Sequence, residues 1–107
     1  MSYIKTTHGK VFVTTKGRTQ KNKIPLIFLH GGPGGFHDPK SPLFSLDNSR
    51  KIIMYDQIGG GKSSPIDSSL MKIDTFVKEL DELISYWQLD KFHLAGGSWG
   101  TTLALEY

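Results

Sequence analysis

The stretch Phe92-His93-Leu94-Ala95-Gly96-Gly97-Ser98-Trp99-Gly100-Thr101-Thr102-Leu103-Ala104-Leu105 decides how this chain is read. Its centre, Gly96-Gly97-Ser98-Trp99-Gly100, has the form G-x-S-x-G. A mainly apolar run precedes it and a helix-forming run follows. A strand that turns sharply into a helix with a serine at the apex is the nucleophile elbow. The apex residue sits in a strained backbone conformation that persists only where its surroundings enforce it. Glycines on either side, Gly97 and Gly100 among them, remove Cβ atoms that would collide as strand and helix close on each other. The turn exposes Ser98 Oγ and aims the Trp99 N–H, at the helix start, toward an oxyanion on an attacked carbonyl.

Upstream of the elbow, Ile73, Val77, Leu80, Leu83, Ile84 and Trp87 recur at helical spacing. They predict one apolar helical face, with Lys78, Glu79, Asp81 and Glu82 outside it. Asp74 is the expected N-cap, and Leu89-Asp90-Lys91 is expected to end the helix. Trp87 is expected in the core, and His93 is expected to be packed within the strand before the elbow. Pro65 to Lys72 reads as a loop. Before it, Lys51-Ile52-Ile53-Met54-Tyr55 reads as a buried strand running into Asp56-Gln57-Ile58-Gly59-Gly60-Gly61-Lys62-Ser63. A P-loop would need glycine five residues before Gly61; that residue is Asp56, so the motif is rejected. Asp at a loop start commonly braces a glycine turn by accepting backbone N–H bonds, and that is the expected role of Asp56, ahead of a catalytic one.

Further upstream, Ile24-Pro25-Leu26-Ile27-Phe28-Leu29 is a continuous apolar run, the pattern of a strand buried on both faces. It empties into His30-Gly31-Gly32-Pro33-Gly34-Gly35. Glycine there allows backbone N–H groups to approach a ligand closely. The G-x-G-x-x-G phosphate pattern fails, because from Gly32 the sixth position is His37. Phe36 to Arg50 is polar, with a short helix expected at Pro42 to Leu46. Tyr3 to Thr7 and Val11 to Thr15 predict a peripheral β-hairpin turning at His8-Gly9. Gly17 to Lys23 is a polar loop.

The order of elements predicts an α/β fold. An N-terminal hairpin leads into a mostly parallel sheet with helices, ending just after the elbow. Right-handed crossovers place the loops at His30, Asp56 and Ser98 along one sheet edge, at the carboxyl ends of the strands.

Composition narrows the classes. A chain of 107 residues holds one small domain. It has no cysteine, which excludes disulfides, thiol nucleophiles and Cys-ligated metals. The net charge of +3 comes without any basic run longer than two residues, so nucleic acid is not an expected partner. No run of 18 apolar residues is present, so no spanning helix is expected. Met1-Ser2-Tyr3-Ile4-Lys5 lacks the apolar core of a signal peptide, and a cytoplasmic location is the expectation. No metal site is expected, since there is no H-E-x-x-H and no His pair at ligand spacing.

Three segments together, HGGPGG at 30–35, YDQIGGGKSS at 55–64 and GGSWGTTLAL at 96–105, resemble the proline iminopeptidases, serine peptidases of the α/β-hydrolase fold. The resemblance covers essentially all 107 residues, in order. The family's middle motif usually reads D-Q-R-G-x-G-x-S. Here Ile58 stands at the Arg position and Gly60 at one that is often Cys; an apolar residue at the first of these is similar to the lactic-acid-bacterial and archaeal branch. The resemblance implies that Ser98 is the nucleophile and that the N–H groups of Gly32 and Trp99 form the oxyanion hole. It implies supporting roles for His30, Gly31, Pro33, Gly34, Asp56, Gln57, Gly97 and Gly100. It implies a peptide substrate with N-terminal proline and no cofactor, since a serine triad needs none.

A serine hydroxyl needs a base, and in this fold the chain order is Ser, then Asp or Glu, then His. No histidine follows Ser98; the four are His8, His30, His37 and His93. Residues 1–107 are therefore expected to be the N-terminal portion of a single α/β-hydrolase domain, poorly stable and inactive alone, because an open sheet edge invites association. Three readings of function stay open on the sequence: a prolyl aminopeptidase, another hydrolase such as an esterase or amino-acid amidase, and an inactive truncated or degenerate product.

Overall fold

The computed structural model describes residues 1–18 and 23–107; part of the expected Gly17–Lys23 loop, residues 19–22, lies outside the described residues. Five strands form one sheet: β1 Ser2–Thr6, β2 Gly9–Lys16, β3 Leu26–Leu29, β4 Ile52–Tyr55 and β5 His93–Gly96. Two α-helices follow β4 and β5: α1 Ile73–Trp87 and α2 Trp99–Glu106. The spatial order is β1-β2-β4-β3-β5.

The apolar runs make the parallel core of this sheet. β3 lies between β4 and β5 and runs parallel to both, with Ile27 opposite Ile53 and Leu94. All four residues of β4 are at most 1% exposed, so this strand is covered on both faces. In β3, Ile27 and Leu29 are fully buried, while Leu26 and Phe28 are half-buried on the other face. The strand begins at Leu26 and not at Ile24. Pro25 has no N–H to give to a ladder; its carbonyl accepts from His93 N–H at 2.8 Å instead.

The hairpin is continuous with the sheet. β1 pairs antiparallel with β2 (Ile4 opposite Val11), and β2 runs on to pair antiparallel with β4 (Val13 opposite Tyr55). The sheet is thus mixed. Its major core lies on the face covered by α1 and α2, where Ile27, Leu29, Ile53 and Tyr55 meet Phe76, Leu80, Leu83 and Leu103. The opposite face carries a smaller cluster, in which Ile52 and Met54 pack on Phe44 from a 3-10 helix at Pro42–Asn48. At roughly 1.5–3 kcal/mol per buried large side chain, the α1 face dominates the stability.

The structure corrects several local expectations. The buried stripe of α1 is rotated from the predicted one. Leu80, Leu83 and Ile84 are buried as expected, but Phe76, Thr75 and Glu79 are buried with them, and Ile73, Val77 and Trp87 lie only half-buried at its margin. Asp74 is not the N-cap. Lys72 holds that position, and Asp74 sits in the first turn, where a carboxylate is favoured by the helix dipole. The helix ends before Leu89, at Gln88, whose left-handed φ of 56° lets Leu89 N–H bond back to Ile84 O at 3.2 Å. A 3-10 turn at Ser68–Leu70, capped by the Asp67 side chain, lies within the expected Pro65–Lys72 loop. His93 is exposed, not packed: it stands at the start of β5, which among the described residues has a strand neighbour on one side only. No helix of the described residues is long and apolar enough to cross a membrane.

After β3 the chain passes to β4 on one side, and after β4 it returns across β3 to β5 on the other. The strand order therefore reverses at β3. That reversal opens a crevice at the carboxyl ends of the parallel strands, the place where α/β sheets bind ligands.

Candidate active site

Three loops meet at this crevice: His30–Gly35 after β3, Asp56–Ser63 after β4, and Gly97–Ser98 between β5 and α2. The last is a sharp turn. Ser98 is exposed and has φ 53° and ψ −117°, a conformation that costs an L-residue ~1–3 kcal/mol. Its neighbours enforce it. A Cβ on Gly96 would lie 2.4 Å from the Gly100 carbonyl carbon, and a Cβ on Gly100 would lie 2.0 Å from Leu29 O. Strand and helix are thus in backbone contact that only glycine permits. The turn uses the N–H groups of Gly97, Gly100 and Thr101 on the carbonyls of Leu29, Gly97 and Ser98. Trp99, first in α2, has no intrahelical acceptor for its N–H.

The first loop runs directly against this turn: a Cβ on Gly31 would be 3.6 Å from Ser98 Cβ and 3.5 Å from Gly97 O. A Cβ on Gly32 would meet only Gly35 N, at an ordinary 3.8 Å, and what requires glycine there is its φ of 68°. Pro33 and Gly34 form the exposed tip. The second loop lies beneath the first, with Gly60 against the backbone of Gly34 and Gly35.

His30 is buried under these loops and both its ring nitrogens are engaged. Nε2 accepts from Gln57 N–H at 2.9 Å, and Nδ1 is 2.8 Å from Gly31 O, so Nδ1 carries the proton. Burial lowers the His30 pKa from its ordinary value. A neutral imidazole with both nitrogens engaged has none left to take a proton from Ser98. The Gln57 side chain is fully buried. Its Nε2 donates to His30 O at 3.0 Å, and its Oε1 accepts from Trp99 Nε1 at 2.9 Å. The Trp99 ring also packs edge-on against Phe76.

The buried Asp56 carboxylate ties the second loop to His37. Oδ1 accepts from His37 N–H and His37 Nδ1–H, both at 2.8 Å, and Oδ2 accepts from Lys62 N–H at 2.8 Å. Burial alone would raise this carboxyl. The bonds from the His37 ring and from the Lys62 and His37 N–H groups outweigh it and hold Asp56 below its ordinary value. His37 Nε2 is 2.8 Å from Thr14 Oγ1, which completes a buried group anchored on β2. A cavity of about 380 Å³ lies beside it, walled by Phe12, Phe36 and Pro39. Among the described residues, no three His, Cys, Asp or Glu side chains come together as metal ligands would.

The structure therefore brings Ser98, Trp99, Gly31, Gly32, His30 and Gln57 together, and engages the Asp56 carboxylate with His37 and Lys62. It adds two residues that the sequence reading missed. Glu79, expected outside the helix face, is only 3% exposed, and its carboxylate accepts from Ile58 N–H at 3.1 Å. The signal was present: Glu79 lies three residues after Phe76 and four before Leu83, on the buried stripe. Tyr55 is the second. Its hydroxyl is buried without a partner among the described residues, and burial and the Glu79 charge push its pKa well up.

Burial raises the Glu79 carboxyl to about 8 from 4.5; the Ile58 N–H opposes this and the nearby Glu82 charge adds to it. Between those values the folded protein keeps a proton that the unfolded chain has released. The associated stability is complete below the unfolded value of about 4.5 and is lost as pH rises toward 8. Glu79→Gln retains an acceptor for Ile58 N–H and removes the titration. We expect it to flatten the pH dependence of stability and to stabilise the protein at pH 8 by a few kcal/mol. Urea unfolding at pH 5 and pH 8 measures this, and an unchanged pH slope rejects it.

Comparison with known proteins agrees with this geometry. The family described as alpha/beta hydrolase fold matches residues 24–107. A proline iminopeptidase of Heyndrickxia coagulans is 46% identical over 84 residues, covering 78% of this chain and 29% of the relative. A proline iminopeptidase of Lactobacillus crispatus is 48% identical over 93 residues, 82% of this chain and 31% of the relative. The crystal structure of Mycobacterium smegmatis proline iminopeptidase superposes with a TM-score of 0.88 at 28% identity, over 98% of this chain and 38% of that one. The chain thus spans about a third of the length of the relatives it matches. It belongs to the alpha/beta hydrolase fold family, and the relatives named here are proline iminopeptidases.

Proposed function

We propose that residues 1–107 form the N-terminal part of a single α/β-hydrolase domain whose activity is the release of N-terminal proline from peptides. The observation that carries this reading is Ser98, exposed at φ 53° in the crevice and held there by the contact of Gly96 with Gly100. Similarity to proline iminopeptidases over most of the chain supports the substrate class.

In this mechanism Ser98 Oγ attacks the carbonyl carbon of the N-terminal prolyl residue while its proton passes to a base. The N–H groups of Gly32 and Trp99 stabilise the oxyanion; loss of one such donor typically costs about 3 kcal/mol of transition-state stabilisation. The C–N bond then breaks, the shortened peptide leaves as an amine with the proton from the base, and a prolyl ester remains on Ser98. Water attacks that ester, frees proline and restores the hydroxyl. His30 holds the loop and does not act as the base, since both its nitrogens are engaged. His37 is bonded to Asp56 and Thr14. In this reading the base and its carboxylate come from chain beyond Tyr107, in the order Ser, then Asp or Glu, then His of this fold. A cytoplasmic setting, expected from the polar start of the chain, is part of the proposal.

The test is a substrate panel on the full-length protein that carries this segment. We expect release of proline from Pro-β-naphthylamide in preference to hydrolysis of an acetyl ester. Preference for the ester, or no turnover of either, overturns the reading.

A further inference from the structure

We propose that Gln57 is a positioning residue that sets the two oxyanion donors relative to each other, the Gly32 N–H on the first loop and the Trp99 N–H at the start of α2. The inference rests on the acyl-transfer reading above and deepens it. Gln57 follows β4, whereas the donors follow β3 and β5. In the order β4-β3-β5 the second loop is a neighbour of the first but not of the elbow. Gln57 nevertheless bonds to both. Its N–H and its side-chain amide grip His30 at two points, Nε2 at 2.9 Å and the carbonyl O at 3.0 Å. The carbonyl end of the same amide accepts from Trp99 Nε1 at 2.9 Å, 42 residues away.

The amide orientation is forced. His30 O can only accept and an indole N–H can only donate, so the NH₂ faces the first and the oxygen faces the second. His30 lies two residues before Gly32, and the Trp99 indole is carried by the residue whose main-chain N–H is the other donor. Gln57 is completely buried, so no water replaces either bond without a cavity opening. The loop bearing Gln57 is itself fixed from below by Glu79 on Ile58 N–H.

The test uses Gln57→Leu and Gln57→Glu in the full-length protein, with Ser98→Ala as reference. Gln57→Leu removes both side-chain bonds. Gln57→Glu is isosteric and keeps an acceptor for Trp99; its carboxyl donates to His30 O only while protonated, the form that complete burial favours. Because misplacement of reacting groups is expressed in the chemical step, we expect kcat to fall about 10- to 100-fold in Gln57→Leu with KM within about twofold, and in Gln57→Glu to fall only as pH rises and the carboxyl ionises. The Trp99 indole N–H resonance should move upfield in Gln57→Leu and stay downfield in Gln57→Glu. Residues 1–107 carry two tryptophans, Trp87 and Trp99, and a Trp99→Phe variant of the full-length protein assigns the Trp99 signal. If Gln57→Leu does not fold, the pH profile of kcat in Gln57→Glu decides, with a loss toward high pH that the unmodified protein lacks as the expected result. Full kcat in folded Gln57→Leu, or a Gln57→Glu profile identical to that of the unmodified protein, with Ser98→Ala inactive, overturns the positioning role alone. Activity retained in Ser98→Ala overturns the underlying reading.

Discussion

Ser98→Ala in the full-length protein is expected to lower kcat on the order of 10⁶-fold while leaving the fold intact, as removal of a serine nucleophile does elsewhere. The structure gives the reason for both parts. Ser98 is exposed and its side chain makes no capping hydrogen bond to α2, so deleting Oγ breaks no structural contact. Alanine inherits the same φ of 53°, so the strain of the turn is unchanged and stability should move by less than about 0.5 kcal/mol. Ser98→Gly separates chemistry from strain. It should be equally inactive, yet more stable by roughly 1 kcal/mol, because glycine tolerates a positive φ. Proline release from Pro-β-naphthylamide and urea unfolding measure the two effects. Residual activity above about one part in a thousand in Ser98→Ala would move the nucleophile elsewhere.

The second large effect is on stability. Gly100→Ala is expected to destabilise the protein by about 3 kcal/mol or more, or to prevent folding. The added Cβ would lie 2.0 Å from Leu29 O, 2.7 Å from Leu29 C and 2.9 Å from His30 O. These are backbone atoms of β3 and its loop, and no rotamer change relieves the clash. α2 would have to lift from the sheet, which also displaces Ser98 and the Trp99 indole. Gly97→Ala is the control in the same turn. Its Cβ would meet only Phe28 Cζ at 3.8 Å, an ordinary contact. Unfolding curves for the two variants should differ widely, and equal stabilities would contradict the packing described for Gly96 and Gly100.

The parts legible in the sequence were those governed by local physics. Lys51 to Tyr55 read as a buried strand because its continuous apolar run has no polar face to expose, and Ile52–Tyr55 form the strand with all four residues buried. The elbow was legible because backbone contact between strand and helix admits only glycine, which marks its positions in the sequence. Periodicity located α1 but placed its buried face only approximately. A stripe defined by apolar residues alone assigns Glu79 to solvent, although the helix carries it inward between Phe76 and Leu83. His93 failed for a related reason: an apolar setting in sequence does not say that a strand has a covering layer.

What the sequence determined by itself was the α/β class, the three glycine loops and the serine at a strand–helix turn, because backbone sterics and hydrophobic patterning act within a few residues. What only the tertiary structure decided was how those loops hold one another. Gln57 reaches from β4 across the β3 loop to Trp99, Asp56 bonds to the buried His37, and Glu79 comes up under Ile58. These bonds depend on the order β4-β3-β5 and on the rotation of α1 against it. A hydrogen bond between residues 42 apart leaves no local pattern in the chain; it exists only once the sheet has brought its two ends within 3 Å.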